Sequence, residues 1–360
     1  MNELLRFGQP VVLGLDIGGA NLKAATTTGR AISEPFPLWR DLAGLVARLK
    51  SLMVQLEPFD SIAATMTGEL ADCFRTKSEG VTAIVTALEA ASGGRPLALW
   101  STEGRFITVE DAYAKPLPLA ASNWLALALW VGRLVPRGRT LLLDIGSTTT
   151  DLIPLRDGIP AACGRTDLGR ILANELVYTG VRRTPLCAVL PVVSFRGTTV
   201  RTAAELFATT LDPLLLLGEI AEDPDDHDTA DGRPATRLAA AERLARCLCC
   251  DATELTEGEL QDLARQFAAA QLAELEHAIQ ALGIREGGAF EQVLVSGSGS
   301  FLGRKVSRYL PATQFARKLD LDQLVSPGVA ASAPACAVAV LCSEQGCQTK
   351  QATGEEALNS

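Results

Sequence analysis

The sequence predicts an α/β protein of two related domains that face each other across a cleft. Three observations carry this. The segment Leu13-Gly-Leu-Asp-Ile-Gly-Gly-Ala-Asn-Leu-Lys23 recurs as Leu141-Leu-Leu-Asp-Ile-Gly-Ser-Thr-Thr-Thr-Asp151. In each copy an apolar strand ends in Asp-Ile-Gly and a second strand leaves at once, as in a hairpin. The chain of 360 residues is also too long for one ordinary core and suits two domains. Finally, Val293-Leu-Val-Ser-Gly-Ser-Gly-Ser-Phe-Leu302 is a strand running into a glycine-rich turn and then a helix.

Taken in order, strands are expected near 11–17, 22–28 and 31–36, a helix near 41–56, a strand at 60–66 and a helix near 77–91. A strand near 96–100 and a helix at 118–135 complete a β-β-β-α-β-α-β-α pattern, so the first domain is expected to span 1–138. Leu117–Val135 is the most apolar stretch, but Ser122, Asn123 and Arg133 interrupt it, so it reads as a buried helix rather than a membrane span. The second domain, 139–330, opens with strands near 140–146, 149–155 and 158–163. Helices near 168–180, 235–250 and 257–282 and the strand at 292–296 follow. A final helix, 331–343, is expected to return to the first domain, leaving 344–360 as a disordered tail.

The Asp-Ile-Gly hairpins suit a polyphosphate ligand. Glycine admits close approach of backbone N–H groups to an anion, and the aspartate can hold a water or Mg²⁺ beside it. The absence of Gly-Lys-Ser/Thr before a helix separates them from a Walker loop. Gly297-x-Gly299 alone is a weak signal that also describes any tight turn; following two such hairpins, it gains weight. Bulk at that turn is expected to damage binding more than folding. The three segments resemble the phosphate-1, phosphate-2 and adenosine motifs of the actin/Hsp70/sugar-kinase superfamily. That resemblance implies duplicated ribonuclease H-like domains around a central cleft.

A formal net charge of −9 with no offsetting basic stripe argues against nucleic acid as a partner. Nine cysteines without a repeated metal-ligand spacing read as reduced thiols in a cytoplasm, and no export signal opens the chain. Cys247-Leu-Cys249-Cys250 could bind a soft metal, but it follows a helical run and lacks nearby histidine, so core packing is the preferred reading. The acidic stretch 222–235 is rich in turn formers and reads as a loop or lid. His227 within it and His277 in an amphipathic helix are the only histidines, so a histidine-based triad is improbable.

The most specific chemistry outside the hairpins is Ala64-Thr-Met-Thr-Gly-Glu-Leu-Ala-Asp-Cys-Phe-Arg-Thr-Lys77, at the C-terminal end of a strand, the edge that faces the ligand crevice in α/β sheets. Thr65 and Thr67 can donate hydroxyl protons, Glu69 and Asp72 can act as bases, and Arg75 and Lys77 can hold phosphate oxygens. On a helical turn the two carboxylates would share one face. The plainer reading makes this segment a helix start, with Thr67 as cap and the acids opposing the dipole.

This segment, together with Ala121-Ser-Asn-Trp124, Gly146-Ser-Thr-Thr-Thr-Asp151, Glu175-Leu-Val-Tyr-Thr-Gly180 and Thr229-Ala-Asp-Gly-Arg-Pro234, resembles the hydantoinase/oxoprolinase-related proteins linked to tetrahydromethanopterin C1 transfer. The likeness runs from about residue 10 to 343 and includes similarity to the methanofuran-biosynthesis synthases of methanogens. It implies a transferase that joins an aminomethylfuran diphosphate to γ-glutamyltyramine, or a similar phenol or amine, and expels pyrophosphate. Mg²⁺ would be held by Asp16 and Asp144, with Asp144, Glu69 and Asp72 as catalytic candidates. The diphosphate would be cradled by Gly18, Gly19, Asn21, Lys23, Thr67, Arg75, Lys77, Gly146, Ser147, Thr148, Thr149, Gly297 and Gly299. Self-association and ATP use are left open. An ATP-dependent small-molecule kinase or ATPase of the same superfamily, or a non-catalytic nucleotide-binding sensor, are the competing readings. Hydantoin or oxoproline ring opening is not supported, because enzymes of that activity have far longer chains or further subunits.

Overall fold

A computed structural model describes residues 10–309 and 317–346. The first domain holds a six-stranded sheet of β1 (Val12–Ile17), β2 (Asn21–Thr26), β3 (Ala31–Pro35), β4 (Ser61–Met66), β5 (Leu97–Trp100) and β6 (Phe106–Ile107). Its order is β3-β2-β1-β4-β5-β6, antiparallel through the opening meander and parallel from β1 to β4 to β5. Helices α1 (Leu45–Leu56), α2 (Lys77–Ser92), α3 (Val109–Ala114) and α4 (Asn123–Val131) follow.

The second domain repeats the plan with β7 (Arg139–Ile145), β8 (Thr150–Arg156), β9 (Ile159–Pro160), α5 (Asp167–Leu172) and β10 (Leu176–Val177). An insertion comprising α6 (Leu186–Val189), the hairpin β11 (Val192–Phe195) and β12 (Thr198–Arg201), α7 (Leu211–Leu216) and α8 (Arg237–Arg246) leads to α9 (Glu257–Arg285). The sheet is completed by β13 (Gln292–Ser296), α10 (Ser300–Tyr309) and β14 (Arg317–Asp320), in the order β10-β8-β7-β13-β14. The chain closes with α11 (Leu321–Leu324), α12 (Pro327–Ala331) and α13 (Ala333–Gln345). The two sheets thus share a plan of an opening hairpin followed by parallel strands, giving a duplicated two-domain α/β architecture.

Residue alternation along the strands explains the layers. In β1, Leu13, Leu15 and Ile17 pack outward with Leu45, Leu49 and Leu52 of α1 and Ile84 and Leu88 of α2. Val12, on the opposite face, packs inward with α4 and α13. In β7, Leu141, Leu143 and Ile145 pack with Leu275, Ile279 and Leu282 of α9, while Leu142 shares the inner cluster with α4 and α13. Both sheets are thus covered on both faces, which is why their strands read as continuous apolar runs.

Helices α4 and α13 lie in the core between the sheets, sharing it with Val12, Ala63, Leu142 and Ile153. A helix buried on every side is apolar on every side, as Trp124 to Val131 shows. A Cβ at Gly14 would stand 1.8 Å from the Ala335 carbonyl oxygen, so α13 sits on β1 at a distance only glycine permits. The helix runs through Gln345 and is closed by left-handed Gly346, two residues beyond the start proposed for the tail; the rest of that tail, 347–360, lies outside the described residues.

The expected helix near 168–180 is instead α5 followed by β10. The chain reverses at Asn174, which takes a left-handed φ of 54°, and Leu176 and Val177 pair with Asp151 and Thr150 of β8. Likewise, Leu117–Val135 is divided: α4 covers Asn123–Val131, with single 3₁₀ turns on each side. No helix of the described residues is long and apolar enough to cross a membrane.

Candidate functional site

Each hairpin sets an aspartate at the end of a buried strand. Asp16 pairs in register with Lys23 across β1 and β2, and Asp144 pairs with Asp151 across β7 and β8. The intervening turns close alike, with Gly18 N–H donating to the Asn21 carbonyl at 3.0 Å and Gly146 N–H to the Thr149 carbonyl at 2.9 Å. Both turns form walls of a cleft of about 360 Å³ between the domains. Of the residues expected there, Asp16, Gly18, Gly19, Asn21, Lys23, Thr67, Glu69, Asp72, Asp144, Gly146, Ser147, Thr148 and Thr149 line it.

The turns are braced from behind. Phe36 and Leu38 N–H groups donate to the carbonyls of Ala20 and Gly19, and Val181 and Arg182 N–H groups to those of Gly146 and Ser147. The next residue on each brace reaches across: the Arg183 guanidinium stacks 3.8 Å from the Trp39 ring centroid. The second brace is itself fixed by Gln271 and Thr210, both bonded to the Gly180 carbonyl at 2.7 Å.

Burial governs the electrostatics. It pushes the Asp144 carboxyl up to about 6, aided by the Asp151 charge and opposed by Lys23. It also raises Asp16, with Lys23 and Asn123 opposing, and Asp151, with Arg170 opposing. Arg170, 1% exposed, bonds Asp151 at 2.6 Å and the Glu175 carbonyl at 2.9 Å. Its guanidinium also lies 4.3 Å from the Trp124 ring of the first domain. Three carboxylates around one lysine, Asp16 and Asp151 buried and Asp144 partly so, make a site that favours a cation.

Glu69 and Asp72 separate sharply. Glu69 is 1% exposed, its Oε2 has no hydrogen-bond partner, and burial pushes its carboxyl up to about 7. Asp72 is exposed at the rim. They do not share a helical turn, because residues 67–76 are a succession of turns and α2 begins only at Lys77. The helix is capped by Thr76, whose hydroxyl accepts from Glu79 N–H, so the cap reading of Thr67 and Glu69 fails. Thr65 is also withdrawn from the cleft: its hydroxyl is bonded to Ser122 at 2.9 Å.

Four expected residues do not line the cleft: Arg75, Lys77, Gly297 and Gly299. Arg75 is exposed. Lys77 instead joins the domains through a 2.6 Å ion pair with Asp167, which does line the cleft. The Gly297–Gly299 turn packs behind β7. Gly297 has φ 89°, and a Cβ there would stand 2.3 Å from the Ile145 carbonyl oxygen and 2.7 Å from Asp144 Oδ1; a Cβ at Gly299 would meet Ile145 and Val181 side chains. The turn therefore abuts Asp144, which does line the cavity.

Residues not singled out by sequence reasoning fill the remaining wall, chiefly Trp39, Leu70, Asp151, Arg170, Tyr178 and Arg183. Asp151 was visible as the end of the second repeat, where Lys23 ends the first. The acidic segment 222–235 is an anchored loop: Asp226 pairs with Arg182, and Asp231 with the fully buried Arg243, which also bonds Asp212 at 2.8 Å. His227 bonds the Gly232 carbonyl, and His277 is exposed. The described cysteines are thiols rather than disulfides, and among the described residues no three His, Cys, Asp or Glu side chains converge on a metal position. The cleft therefore lacks an all-protein metal cage, but it fits Mg²⁺, which is commonly held by one or two carboxylates, waters and substrate phosphates. Asp16, with a buried and unpartnered Oδ1, and Asp144 would be the donors.

The hydantoinase/oxoprolinase family model matches residues 60–345. The chain belongs to the hydantoinase/oxoprolinase family. Within it, the chain is 37% identical over 260 residues to the (4-{4-[2-(gamma-L-glutamylamino)ethyl]phenoxymethyl}furan-2-yl)methanamine synthase of Methanocaldococcus jannaschii, covering 71% of this chain and 77% of that one. A synthase of the same name from Methanococcus vannielii is 39% identical over 127 residues, 35% of this chain and 57% of that one. The family fold is also shared with a nucleotide-free structure of acetone carboxylase. It is 10% identical with a TM-score of 0.54, over 91% of this chain and 70% of that chain.

Proposed function

We propose that this hydantoinase/oxoprolinase-family protein is a biosynthetic transferase. It condenses an aminomethylfuran methyl diphosphate with the phenol of γ-glutamyltyramine or a close analogue and releases pyrophosphate. The product class is read from the names of the two methanogen synthases, whose compound joins a phenol to a furylmethyl group by an ether. The reaction belongs to the making of methanofuran-type cofactors in tetrahydromethanopterin-linked C1 metabolism.

The observation that carries the reading is Glu69. A phenol with a pKa near 10 is a weak nucleophile at neutral pH, so a positioned base contributes about 10²–10⁴-fold. Glu69 lines the cleft, is buried, has one unpartnered oxygen and titrates at about 7. It accepts the phenolic proton as the phenol oxygen forms its bond to the furfuryl carbon and the C–O bond to diphosphate breaks.

Around the leaving group, Lys23 supplies positive charge, and the two glycine turns bring backbone amides to the cleft wall. Mg²⁺ held by Asp16 and Asp144 would neutralise charge on the departing diphosphate. The Gly297–Gly299 turn packs on Ile145 and Val181 and is not among the residues lining this cavity. The test is incubation of purified protein with Mg²⁺, the furan diphosphate and γ-glutamyltyramine, following pyrophosphate and ether product, with ATP alone as the contrasting arm.

A further inference from the structure

We propose that Trp39, Leu70 and Tyr178 form an aromatic-ring subsite that receives the phenolic acceptor and determines its choice, an inference that rests on the transferase reading above. All three line the cleft, whose other walls are the glycine turns and the buried acids. Leu70 remains 52% exposed and Tyr178 57% exposed, so two large side chains present apolar surface inside a site otherwise built for charge. Sites for small organic ligands combine such apolar walls with a few placed polar groups.

The position of this surface selects its occupant. Leu70 directly follows Glu69, the group assigned to take the phenolic proton. Tyr178 stands close enough to Glu69, Asp167, Lys77 and Arg183 for their charges to act on its hydroxyl. Trp39 comes from the brace of the first turn and Tyr178 from the strand pair next to the second, so the subsite has one wall from each domain. Arg183 packs on the Trp39 ring at 3.8 Å and fixes its orientation. A planar ring bound here presents its hydroxyl toward Glu69, while the diphosphate ester is held at the glycine turns beside Lys23. The two substrates thus occupy different parts of one cleft, and only the acceptor depends on these rings.

Tyr178→Ala and Trp39→Ala are each expected to raise the KM for γ-glutamyltyramine by about tenfold or more, as loss of an aromatic contact predicts. The KM for the furan diphosphate should stay within about twofold. Tyr178→Phe keeps the ring and should restore the acceptor KM. An unchanged acceptor KM in both alanine variants, or an equal rise in both KM values, would overturn the subsite. Calorimetric titration of γ-glutamyltyramine into the same proteins separates this inference from the transferase reading, because it needs no turnover. If wild type forms no product yet binds the acceptor, and Tyr178→Ala weakens binding while Leu172→Ala, on the exposed side of α5, does not, the subsite stands and the reaction assignment falls. No binding by wild type, or equal binding by wild type and Tyr178→Ala, removes the subsite.

Discussion

Asp144 faces Asp151 across β7 and β8 at the position where Asp16 faces Lys23 across β1 and β2. The duplication therefore keeps one acid in each half and exchanges a cation for a second acid in the other. The result is an asymmetric cleft, with three carboxylates and one lysine held on two near-identical hairpins. Such asymmetry suits a divalent ion beside an anionic leaving group.

Asp16→Asn and Asp144→Asn should each reduce Mg²⁺-dependent turnover by orders of magnitude, since metal-held charge stabilisation contributes several kcal/mol to the transition state. Steady-state rates measured across a Mg²⁺ titration check this. Wild-type turnover and Mg²⁺ dependence in either variant would remove that aspartate from the metal site.

Glu69 and Asp72 are predicted to behave differently. Glu69→Gln should lower kcat by about 10²–10⁴-fold with little change in KM, whereas Asp72→Asn, exposed at the rim, should stay near wild type. The wild-type rate should climb with pH through about 7, where the Glu69 carboxyl ionises. Stability should move the other way. Glu69 and Asp144 bind protons more tightly folded than unfolded, so the penalty is absent below their ordinary values of 4.5 and 3.8. It grows as pH rises and levels off above about 7 and 6, each tenfold gain in proton affinity on folding costing about 1.4 kcal/mol. Urea midpoints of the metal-free protein across about pH 4 to 8 should fall accordingly, and Glu69→Gln should flatten the slope.

Gly297→Val is expected to damage folding and Asp144 together. The sequence alone suggested a ligand-facing turn in which bulk would raise KM and spare the melt. The structure gives a different expectation, because a side chain there meets the Ile145 carbonyl and the Asp144 carboxylate, at a φ of 89° that disfavours β-branched residues. Melting and kinetics on one preparation should show a lower Tm and a lower kcat per folded molecule, with ligand KM little changed. A normal melt with a raised KM would restore the ligand-facing assignment.

Arg170→Met should destabilise the protein by about 3–5 kcal/mol, because it leaves Asp151 buried without its partner and removes the contact with Trp124 that ties the domains. Equilibrium urea unfolding measures this. A change below about 1 kcal/mol, as for an exposed ion pair, would show that Asp151 finds another partner.

The duplicated hairpins were legible because their signal is local: an apolar run, Asp-Ile-Gly and an immediate second strand. From them the duplicated α/β fold could be read. The choice between Glu69 and Asp72 was not, since three residues of separation say nothing about which carboxylate the fold encloses. Trp39 and Arg183 escaped for a related reason, since each meets its partner in the other domain, and Arg170 because its partners Asp151 and Trp124 are distant in sequence. The strand β10 was hidden by a helix-like run, and its pairing with β8 overrode local propensity. Gly297 shows a different limit: its motif suggested a ligand, while the packing that requires a glycine there is against the Ile145 carbonyl and the Asp144 carboxylate.

The central claim is tested most directly by mass spectrometry of the complete reaction. Purified protein with Mg²⁺, the furan diphosphate and γ-glutamyltyramine should yield the phenoxymethylfuran ether and one pyrophosphate per ether, with no requirement for ATP. Formation of ADP and a phosphorylated small molecule, or no ether and no pyrophosphate under these conditions, would contradict it.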